Sequence, residues 1–319
     1  MLDILTIGEM LIDLTQTGVS AQGIPVYTAF PGGAPANVAV AAAKLGAKTG
    51  FIGKVGNDAF GRLLADTLAQ NGVDTGGLRM SREANTTLAV VSLQESGERD
   101  FAFYRKGFAD TLLSAGDISD EQLRNTRVLH FGSVSLTDEP ARSATLSAAQ
   151  RAKDFGACVS YDPNYRASLW SHPTLATEMM KQPLGMVDIL KISDEELPLL
   201  TGTDDYEKGT EILAQAFGIT LILLTLGAKG AYYRFGEATG TCAGVRVKVA
   251  DTNGAGDTFL GAFLSGMARL GKYHPEELCE DEIQRLVALA NRAASLTASR
   301  SGAIPAMPTA EEVFGEGSV

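Results

Sequence analysis

Short apolar runs alternate with amphipathic helical segments along most of this 319-residue chain, and this alternation restricts its fold more than any other feature. Strands that alternate with helices favour a parallel sheet, and right-handed crossovers place helices on both of its faces. The sequence therefore predicts an α/β fold. The predicted strands are 4–7, 49–52, 128–131, 158–161, 189–192 and 221–225, and the predicted helices are 36–45, 60–70, 140–155, 195–200 and 207–216.

Two regions interrupt the alternation, at about 11–30 and 86–106. Apolar and polar residues alternate there with the period of two that is typical of half-buried strands. We expect these regions to form a small accessory β-sheet beside the main one. A third hairpin-like stretch covers 230–249, and its last part, Val245–Val249, is predicted as a strand. With no linker or repeat in the chain, residues 1–319 are expected to form one domain.

Composition excludes several function classes. With 27 basic and 38 acidic residues, the net charge of −11 disfavours nucleic acid and anionic membranes as partners. The three cysteines and three histidines are scattered, without the spacing of a disulfide framework or a zinc site. The first apolar stretch contains Glu9 and Asp13 and has no basic start, so we expect no signal peptide, and no apolar run is long enough to span a bilayer. We therefore expect a cytoplasmic protein.

The strongest local signal is the run Asp251-Thr-Asn-Gly-Ala-Gly-Asp-Thr258, followed by an apolar helix that ends near Gly271. Small residues at the start of a helix expose backbone N–H groups, and the helix dipole adds positive charge, which together suit a phosphate. Asp257 beside such a site fits a general base for a hydroxyl that attacks the phosphate. An ordinary helix cap with a glycine-rich turn is the alternative.

A second cluster, Pro31-Gly-Gly-Ala-Pro-Ala-Asn37, begins the helix predicted over 36–45. Paired glycines allow a ligand to approach the backbone, and Asn37 offers a donor and an acceptor to a polyol. Asp13 follows the first predicted strand, at the sheet end where ligands of open α/β folds bind. It could accept hydrogen bonds from sugar hydroxyls, and a solvated loop acid is the alternative.

Two nucleotide-binding motifs are excluded. Residues 266–273 approach the P-loop pattern, but Tyr273 replaces the metal-binding hydroxyl and the segment ends a helix instead of starting one. No GxGxxG follows the first strand, which disfavours a dinucleotide-binding dehydrogenase.

Together the two clusters resemble the signatures of the ribokinase-like sugar kinases, and within them the fructokinase branch. Further motifs follow the family order over nearly the whole chain, at 8–13, 51–56, 162–166, 193–196, 225–230 and 301–305. The resemblance implies a three-layer α/β/α fold with a mostly parallel central sheet and a β-sheet lid over the sugar. It also implies transfer of phosphate from ATP to fructose, giving fructose 6-phosphate.

The resemblance assigns roles by position. Asp257 matches the catalytic base, and the backbone of Gly254, Ala255 and Gly256 matches the anion hole. The matching sugar contacts are Asp13, Gly32, Gly33, Asn37, Arg105 and Arg166. The matching nucleotide contacts are Asn164, Ser193, Thr225, Gly227, Gly230 and Asn291.

Metal sites are implied in the same way. Glu196 matches the acid that helps to place hydrated Mg²⁺. Asp251, Asn253, Thr297 and Gly302 match the surroundings of a monovalent cation, so K⁺ is a candidate ligand.

Several alternatives stay open from the sequence. A 2-keto-3-deoxygluconate kinase shares the fold and the base but must neutralise a carboxylate, which Arg105 and Arg166 could do. Another sugar kinase of the family and a non-catalytic sugar or nucleotide sensor are further alternatives. The unpaired edges of the lid strands allow a homodimer.

Overall fold

The buried apolar runs form one large sheet, flanked by helices in three layers. The structure is a computed structural model that describes residues 1–93 and 99–315. In chain order the strands are β1 (Leu2–Ile7), β2 (Leu11–Val19), β3 (Pro25–Gly32), β4 (Thr49–Gly56), β5 (Asp74–Ser81), β6 (Leu88–Leu93), β7 (Arg99–Tyr104), β8 (Thr126–Gly132), β9 (Cys158–Asp162), β10 (Ile189–Ser193), β11 (Leu221–Thr225), β12 (Gly230–Phe235) and β13 (Ala238–Ala243).

The main sheet has nine strands in the order β13-β12-β11-β10-β9-β8-β1-β4-β5. The pairs from β11 to β5 are parallel, and the hairpin β12–β13 adds two antiparallel strands at one edge. All six predicted parallel strands are present. The sequence interpretation missed β5, an edge strand in which two adjacent glycines weaken the strand pattern.

Helices connect the parallel strands and cover both faces of the sheet. They are α1 (Ala34–Lys44), α2 (Ala59–Gln70), α3 (Asp120–Arg124), α4 (Ala141–Asp154), α5 (Pro173–Lys181), α6 (Leu197–Thr201), α7 (Tyr206–Phe217), α8 (Ala255–Arg269), α9 (Glu280–Ala298) and α10 (Ala310–Phe314). The five predicted helices correspond to α1, α2, α4, α6 and α7. The predicted helix that ends near Gly271 is α8.

The prediction of a strand at Val245–Val249 is wrong. The chain leaves the sheet after β13, and residues 244–249 have no regular secondary structure. The valines alternate with Arg246 and Lys248 as they would in a strand, but this segment lines a cavity instead of joining a sheet.

A second sheet of four strands, in the order β3-β2-β6-β7, is formed by the two regions with period-two alternation. The strands β2 and β6 are parallel in its centre, and β3 and β7 pair with them antiparallel at the two edges. Residues 94–98 of the predicted 86–106 segment and the tail 316–319 lie outside the described residues.

Apolar side chains on the two faces of the main sheet pack against different helices. Leu129, Leu190 and Ile222 face α4 to α7, whereas Ile4, Val128 and Leu223 face α1, α8 and α9. The parallel strands end together, so the residues after their carboxyl ends meet at one edge. None of the helices in the described ranges is long and apolar enough to cross a membrane.

Candidate active site

Two cavities meet at the first turn of α8, at the carboxyl ends of the parallel strands. We call the smaller one, of about 70 Å³, the polar pocket, and the larger one, of about 460 Å³, the apolar cavity. The polar pocket is lined by Glu9, Leu11, Asp13, Gly33, Ala34, Asn37, Phe103, Val134, Asn164, Arg166, Leu169, Asn253, Gly254 and Asp257. The apolar cavity is lined by Thr225, Gly227, Ala228, Gly230, Gly244, Val245, Arg246, Val247, Val249, Thr252, Ala255, Gly256, Phe259, Asn291, Ala294, Ser295 and Ala298.

The start of α8 separates the two cavities. Gly254 is its N-cap in a left-handed conformation, with φ of 74°, and the first helical hydrogen bond runs from the Thr258 N–H to the Gly254 carbonyl. Of the predicted anion-hole residues, Ala255 donates its N–H to the Thr252 carbonyl at 3.3 Å. The N–H groups of Gly256 and of Asp257, which the prediction did not include, precede the first helical bond, and such groups at a helix start attract anions. The predicted anion hole therefore lies between the cavities.

Asp257, in the first turn of α8, is the buried acid at this junction. Its Oδ2 accepts a 2.8 Å hydrogen bond from Nδ2 of Asn37 on α1. Burial raises the pKa of Asp257 to about 6, against the lowering effects of Asn37, Lys191 and Arg166. A carboxylate with this pKa is ionised at neutral pH but still basic enough to accept a proton from a hydroxyl.

Asp13 on β2 and Gly33 at the start of α1 form the opposite wall of the polar pocket. Burial raises the pKa of Asp13 to about 7, opposed by Arg166 and reinforced by Asp257 and Asp251. Gly33 has a φ of 110°, and a Cβ there would stand 2.5 Å from the Glu9 carbonyl oxygen. Only glycine allows this close approach between the α1 start and the turn after β1.

Gly32 is the last residue of β3 and does not line either cavity. A side chain at Gly32 would stand 2.5 Å from Oδ2 of Asp13, so the residue leaves room for that carboxylate. Its contribution is to the shape of the polar pocket.

Glu9 is a pocket residue that the sequence interpretation did not select. It is buried, and its Oε1 accepts a 3.1 Å hydrogen bond from the Ala34 N–H at the start of α1. Burial raises the pKa of Glu9 to about 7. The signal that could have identified it is an acidic residue in the turn directly after the first strand. Its hydrogen bond to the start of α1 becomes visible only in the fold.

Arg166 and Asn164 follow the carboxyl end of β9 and face the polar pocket. The Arg166 guanidinium donates a 3.1 Å hydrogen bond to the Tyr165 carbonyl and is otherwise exposed. Asn164 has a left-handed φ of 47°, an unusual conformation for a residue other than glycine. The Asp162 carboxylate, which accepts a 3.0 Å bond from the Asn164 N–H, stabilises this turn.

Arg105 does not line the pocket, unlike the other predicted sugar-contacting arginine. It follows β7, and its Nε donates a 2.6 Å hydrogen bond to Asp110 in a buried ion pair. Its other nitrogens donate to Thr137 and, at 3.0 Å, to the Val134 carbonyl. The guanidinium faces inwards because Asp110 neutralises it there. Arg105 therefore lies behind the wall that Val134 forms and joins the small sheet to it.

The apolar cavity contains four of the predicted nucleotide contacts: Thr225, Gly227, Gly230 and Asn291. The Asn291 amide donates a 3.0 Å hydrogen bond to the Cys242 carbonyl. The sequence interpretation missed the valines at 245, 247 and 249, which are partly exposed in this cavity. A large apolar wall beside an anion site suits a flat heterocycle attached to phosphates.

Ser193 and Glu196, predicted as nucleotide and Mg²⁺ residues, lie beside the turn after β9. One Glu196 oxygen accepts a 2.7 Å bond from the Tyr165 N–H, and the other accepts bonds of 2.8 and 3.0 Å from Ser193 N and Oγ. The carboxylate is thus fixed in place. Within the described chain, no group of three or more His, Cys, Asp or Glu residues is arranged to hold a metal ion.

The residues predicted around a monovalent cation lie near one another. Asp251 accepts hydrogen bonds from the backbone N–H groups of Asn253, at 3.0 Å, and Gly302, at 3.2 Å. The Thr297 hydroxyl is 3.0 Å from the Thr258 hydroxyl. Asp251 therefore ties the loop before α8 to the segment after α9.

The structure adds two charged residues that the sequence interpretation passed over, Lys191 on β10 and Asp162 at the end of β9. They form a buried ion pair of 2.8 Å. A lysine between Leu190 and Ile192, inside a buried apolar strand, was the available signal.

Known proteins match this chain over nearly its whole length. Residues 1–310 match the sequence pattern of the pfkB family carbohydrate kinases. Fructokinase-2 of Solanum lycopersicum is 41% identical over 315 residues, which are 98% of this chain and 94% of that protein.

Solved structures of two fructokinases are similar to this chain over nearly its whole length. A fructokinase of Xylella fastidiosa with bound ATP has a TM-score of 0.91 and 34% identity, covering 98% of this chain and 97% of that one. A fructokinase of Vibrio cholerae O395, bound to fructose, ADP and calcium, has a TM-score of 0.88 and 37% identity, covering 98% of both chains. These matches confirm the predicted fold class.

Proposed function

The chain belongs to the pfkB family of carbohydrate kinases, and we propose on that premise that it is an ATP-dependent fructokinase. The reaction transfers the terminal phosphoryl group of ATP to the 6-hydroxyl of fructose. The observation that carries the proposal is the position of Asp257 and the α8 N–H groups between a polar pocket and an apolar cavity. A sugar in the first and a nucleotide in the second would meet at that turn.

The geometry supports an in-line transfer. The sugar oxygen forms a bond to the terminal phosphorus while the bond from phosphorus to the ADP oxygen breaks, and the hydroxyl proton passes to Asp257. The N–H groups of Gly256 and Asp257 stabilise the negative charge on the phosphoryl oxygens. Positioning and charge stabilisation are the main requirements of this reaction, and both are supplied by the start of α8.

Contacts to the sugar are proposed for the residues that line the polar pocket. Asp13 and Asn37 supply carboxylate and amide groups for hydroxyl recognition, and Gly33 gives the sugar access to the backbone. Arg166 supplies the pocket's positive charge. The small sheet, which contributes Asp13 on β2 and Phe103 on β7, acts as a lid that excludes water from the reaction.

Mg²⁺ is proposed as the metal that accompanies ATP. The residues fit a hydrated ion, since Mg²⁺ keeps several waters and is held through one or two carboxylates plus phosphates. Both oxygens of Glu196 already accept backbone hydrogen bonds. Glu196, with Ser193 and Asn164 nearby, would therefore contact the ion through its waters instead of directly. When bound, Mg²⁺ neutralises phosphate charge.

A monovalent cation is proposed beside the anion hole, where Asp251 joins the loop before α8 to Gly302. A cation there would add positive charge near the phosphoryl group. The test compares initial rates in KCl with rates in tetramethylammonium chloride at equal ionic strength. Higher activity in KCl supports the site, and equal rates contradict it.

A homodimer through the lid is proposed because the small sheet has exposed apolar side chains. Val26 and Tyr27 lie on the edge strand β3, Val19 and Ile24 lie at the turn that joins β2 to β3, and Tyr104 ends the other edge strand, β7. Sedimentation velocity of the wild-type protein and of Val26→Lys tests this. A dimer that the substitution dissociates supports the proposal, and a wild-type monomer contradicts it.

The substrate is tested by phosphorylation of fructose, ribose, 2-keto-3-deoxygluconate, glucose and adenosine with Mg-ATP, compared by kcat/KM. Fructose is expected to give the highest value. A higher kcat/KM for 2-keto-3-deoxygluconate would make that compound the proposed substrate and leave the proposed kinase activity unchanged. Absence of turnover with every sugar would contradict a kinase and favour a sensor.

A further inference from the structure

Lys191 lies in the middle of β10, between the buried apolar residues Leu190 and Ile192. Its side chain is 7% exposed. Burial of an ammonium group is costly unless charged or hydrogen-bonding partners compensate for the lost hydration. A buried lysine in the centre of a sheet therefore requires an explanation from its surroundings.

Asp162 supplies only part of that compensation. Its Oδ2 accepts a 2.8 Å hydrogen bond from the Lys191 ammonium, and its Oδ1 accepts the Asn164 N–H. An ammonium group has three donors. Over residues 1–93 and 99–315, Asp162 is the one hydrogen-bond partner of Lys191, so two donors remain for a ligand or water.

The ammonium group faces the first turn of α8. A Cβ on Gly256 would stand 3.1 Å from Nζ of Lys191, so the absence of a side chain allows the ammonium to reach the helix backbone. Burial lowers the pKa of Lys191, but Asp162, Glu196 and Asp257 raise it further, and the group remains charged.

Two positive groups thus converge on one point, since the start of α8 carries positive charge from its dipole. Asp162 is one anion beside them, and its single hydrogen bond to the ammonium leaves two donors for a further anion. Asp257 and Glu196, the proposed base and the proposed metal-positioning acid, both act electrostatically on Lys191. The ammonium therefore lies within electrostatic reach of both groups, beside the first turn of α8.

We propose that Lys191 binds the terminal phosphoryl group of the nucleoside triphosphate and stabilises its negative charge during transfer, with Asp162 as its positioning residue. This inference rests on the proposed function. Lys191 gives up no proton: its ammonium donates hydrogen bonds to phosphoryl oxygens while the phosphorus moves from the ADP oxygen to the sugar oxygen. In the transition state the negative charge of the transferring group is spread over its oxygens, where the Lys191 ammonium can donate hydrogen bonds to it.

The test uses Lys191→Met and the double variant Lys191→Met/Asp162→Asn, which removes the charge from both partners. The second variant is needed because Lys191→Met alone leaves a buried carboxylate unpaired. Lys153→Met/Asp188→Asn is the matched control, because that ion pair of 2.7 Å lies at the opposite ends of the strands. Calorimetry measures the affinities for Mg-AMP-PNP and Mg-ADP, and steady-state assays measure kcat and the KM for fructose.

Removal of one charge-stabilising donor typically lowers kcat by about 10²–10³, and we expect that loss in both Lys191 variants with little change in the KM for fructose. Their preference for Mg-AMP-PNP over Mg-ADP should also fall, because only the former carries the terminal phosphoryl group. The control should keep both properties.

Two results would overturn the inference. One is a double variant with a kcat within about threefold of wild type, which would show that Lys191 only balances Asp162. The other is an unchanged preference for Mg-AMP-PNP over Mg-ADP in folded variants. Since the binding measurement needs no sugar turnover, it decides on Lys191 even if the wild type proves to phosphorylate no sugar.

Discussion

Nδ2 of Asn37 donates a 2.8 Å hydrogen bond to Oδ2 of Asp257, and this bond joins the two glycine-rich segments of the chain. Asn37 lies in the first turn of α1, and Asp257 lies in the first turn of α8. The two helices pack so closely that a Cβ on Gly261 would stand 2.7 Å from the Ala41 Cβ. The sugar-recognition segment and the phosphoryl-transfer segment are therefore held in one fixed arrangement.

Loss of this hydrogen bond should shift the pH dependence of the reaction. Asn37 stabilises the ionised form of Asp257 and lowers its pKa, so Asn37→Leu should raise that pKa. A hydrogen bond to a charged group contributes about 1.5–3 kcal/mol, which corresponds to roughly one to two pH units.

The measurement is kcat/KM for fructose from pH 5 to 9, which reports the pKa values of the free enzyme. The acid limb of the wild type should lie near pH 6, the pKa of Asp257, and the limb of Asn37→Leu should lie at higher pH. Asn125→Leu, at an exposed site, serves as the control. A limb that does not move would show that Asn37 has no effect on the base.

The buried carboxylate of Asp13, a proposed sugar contact, should lower the free energy of unfolding of the free enzyme when it is ionised. Its pKa is raised to about 7 in the folded state, from 3.8, so folding opposes its ionised form. The folded state then binds more protons than the unfolded state between these values, and stability falls as pH rises through that window. The destabilisation disappears only below the unfolded-state pKa of 3.8, where the group is protonated in both states.

Asp13→Asn should therefore raise Tm at pH 8, by roughly 2–4 °C for each kcal/mol recovered, and raise it much less at pH 4. The same variant should raise the KM for fructose. Thermal unfolding at the two pH values checks the first part. An equal effect on Tm at both would contradict the ionisation argument.

Gly33→Ala should disturb the polar pocket more than an ordinary glycine substitution. The new Cβ would stand 2.5 Å from the Glu9 carbonyl oxygen, so the start of α1 or the turn after β1 must move. We expect the KM for fructose to rise by about tenfold or more, since small displacements of positioning groups are costly.

Gly156→Ala is the matched control. Gly156 has a similar left-handed φ of 89°, but no atom lies within 4 Å of a Cβ there. It should lose about 1 kcal/mol of stability and keep its KM. Equal effects of the two substitutions on KM would show that the contact with Glu9 is unimportant for the pocket.

The sequence predicted the main sheet well because parallel strands are buried on both faces and appear as apolar runs. It failed at Val245–Val249, where alternating valines line a cavity, since a period of two does not distinguish a sheet layer from a cavity wall. It also omitted β5, whose glycines obscure the pattern at the sheet edge.

For the site, the order of motifs located the residues but could not orient their side chains. Arg105 and Arg166 both follow strands and appear equivalent in the sequence, yet only Arg166 faces the pocket. The difference depends on Asp110, which turns Arg105 inwards and is close to it only in the folded chain. Lys191 was overlooked because its partner Asp162 lies 29 residues away on the neighbouring strand.

The central claim is that Asp257 accepts the proton of the sugar hydroxyl at the anion hole of α8. It is tested by the kcat for fructose phosphorylation of wild type, Asp257→Asn and the exposed control Asp204→Asn with Mg-ATP. Asn keeps the size of the side chain but cannot accept the proton. The account predicts that Asp257→Asn loses about 10²–10⁴-fold or more in kcat, while the control and the Tm values stay near wild type. A folded Asp257→Asn enzyme with a kcat within about tenfold of wild type would contradict it.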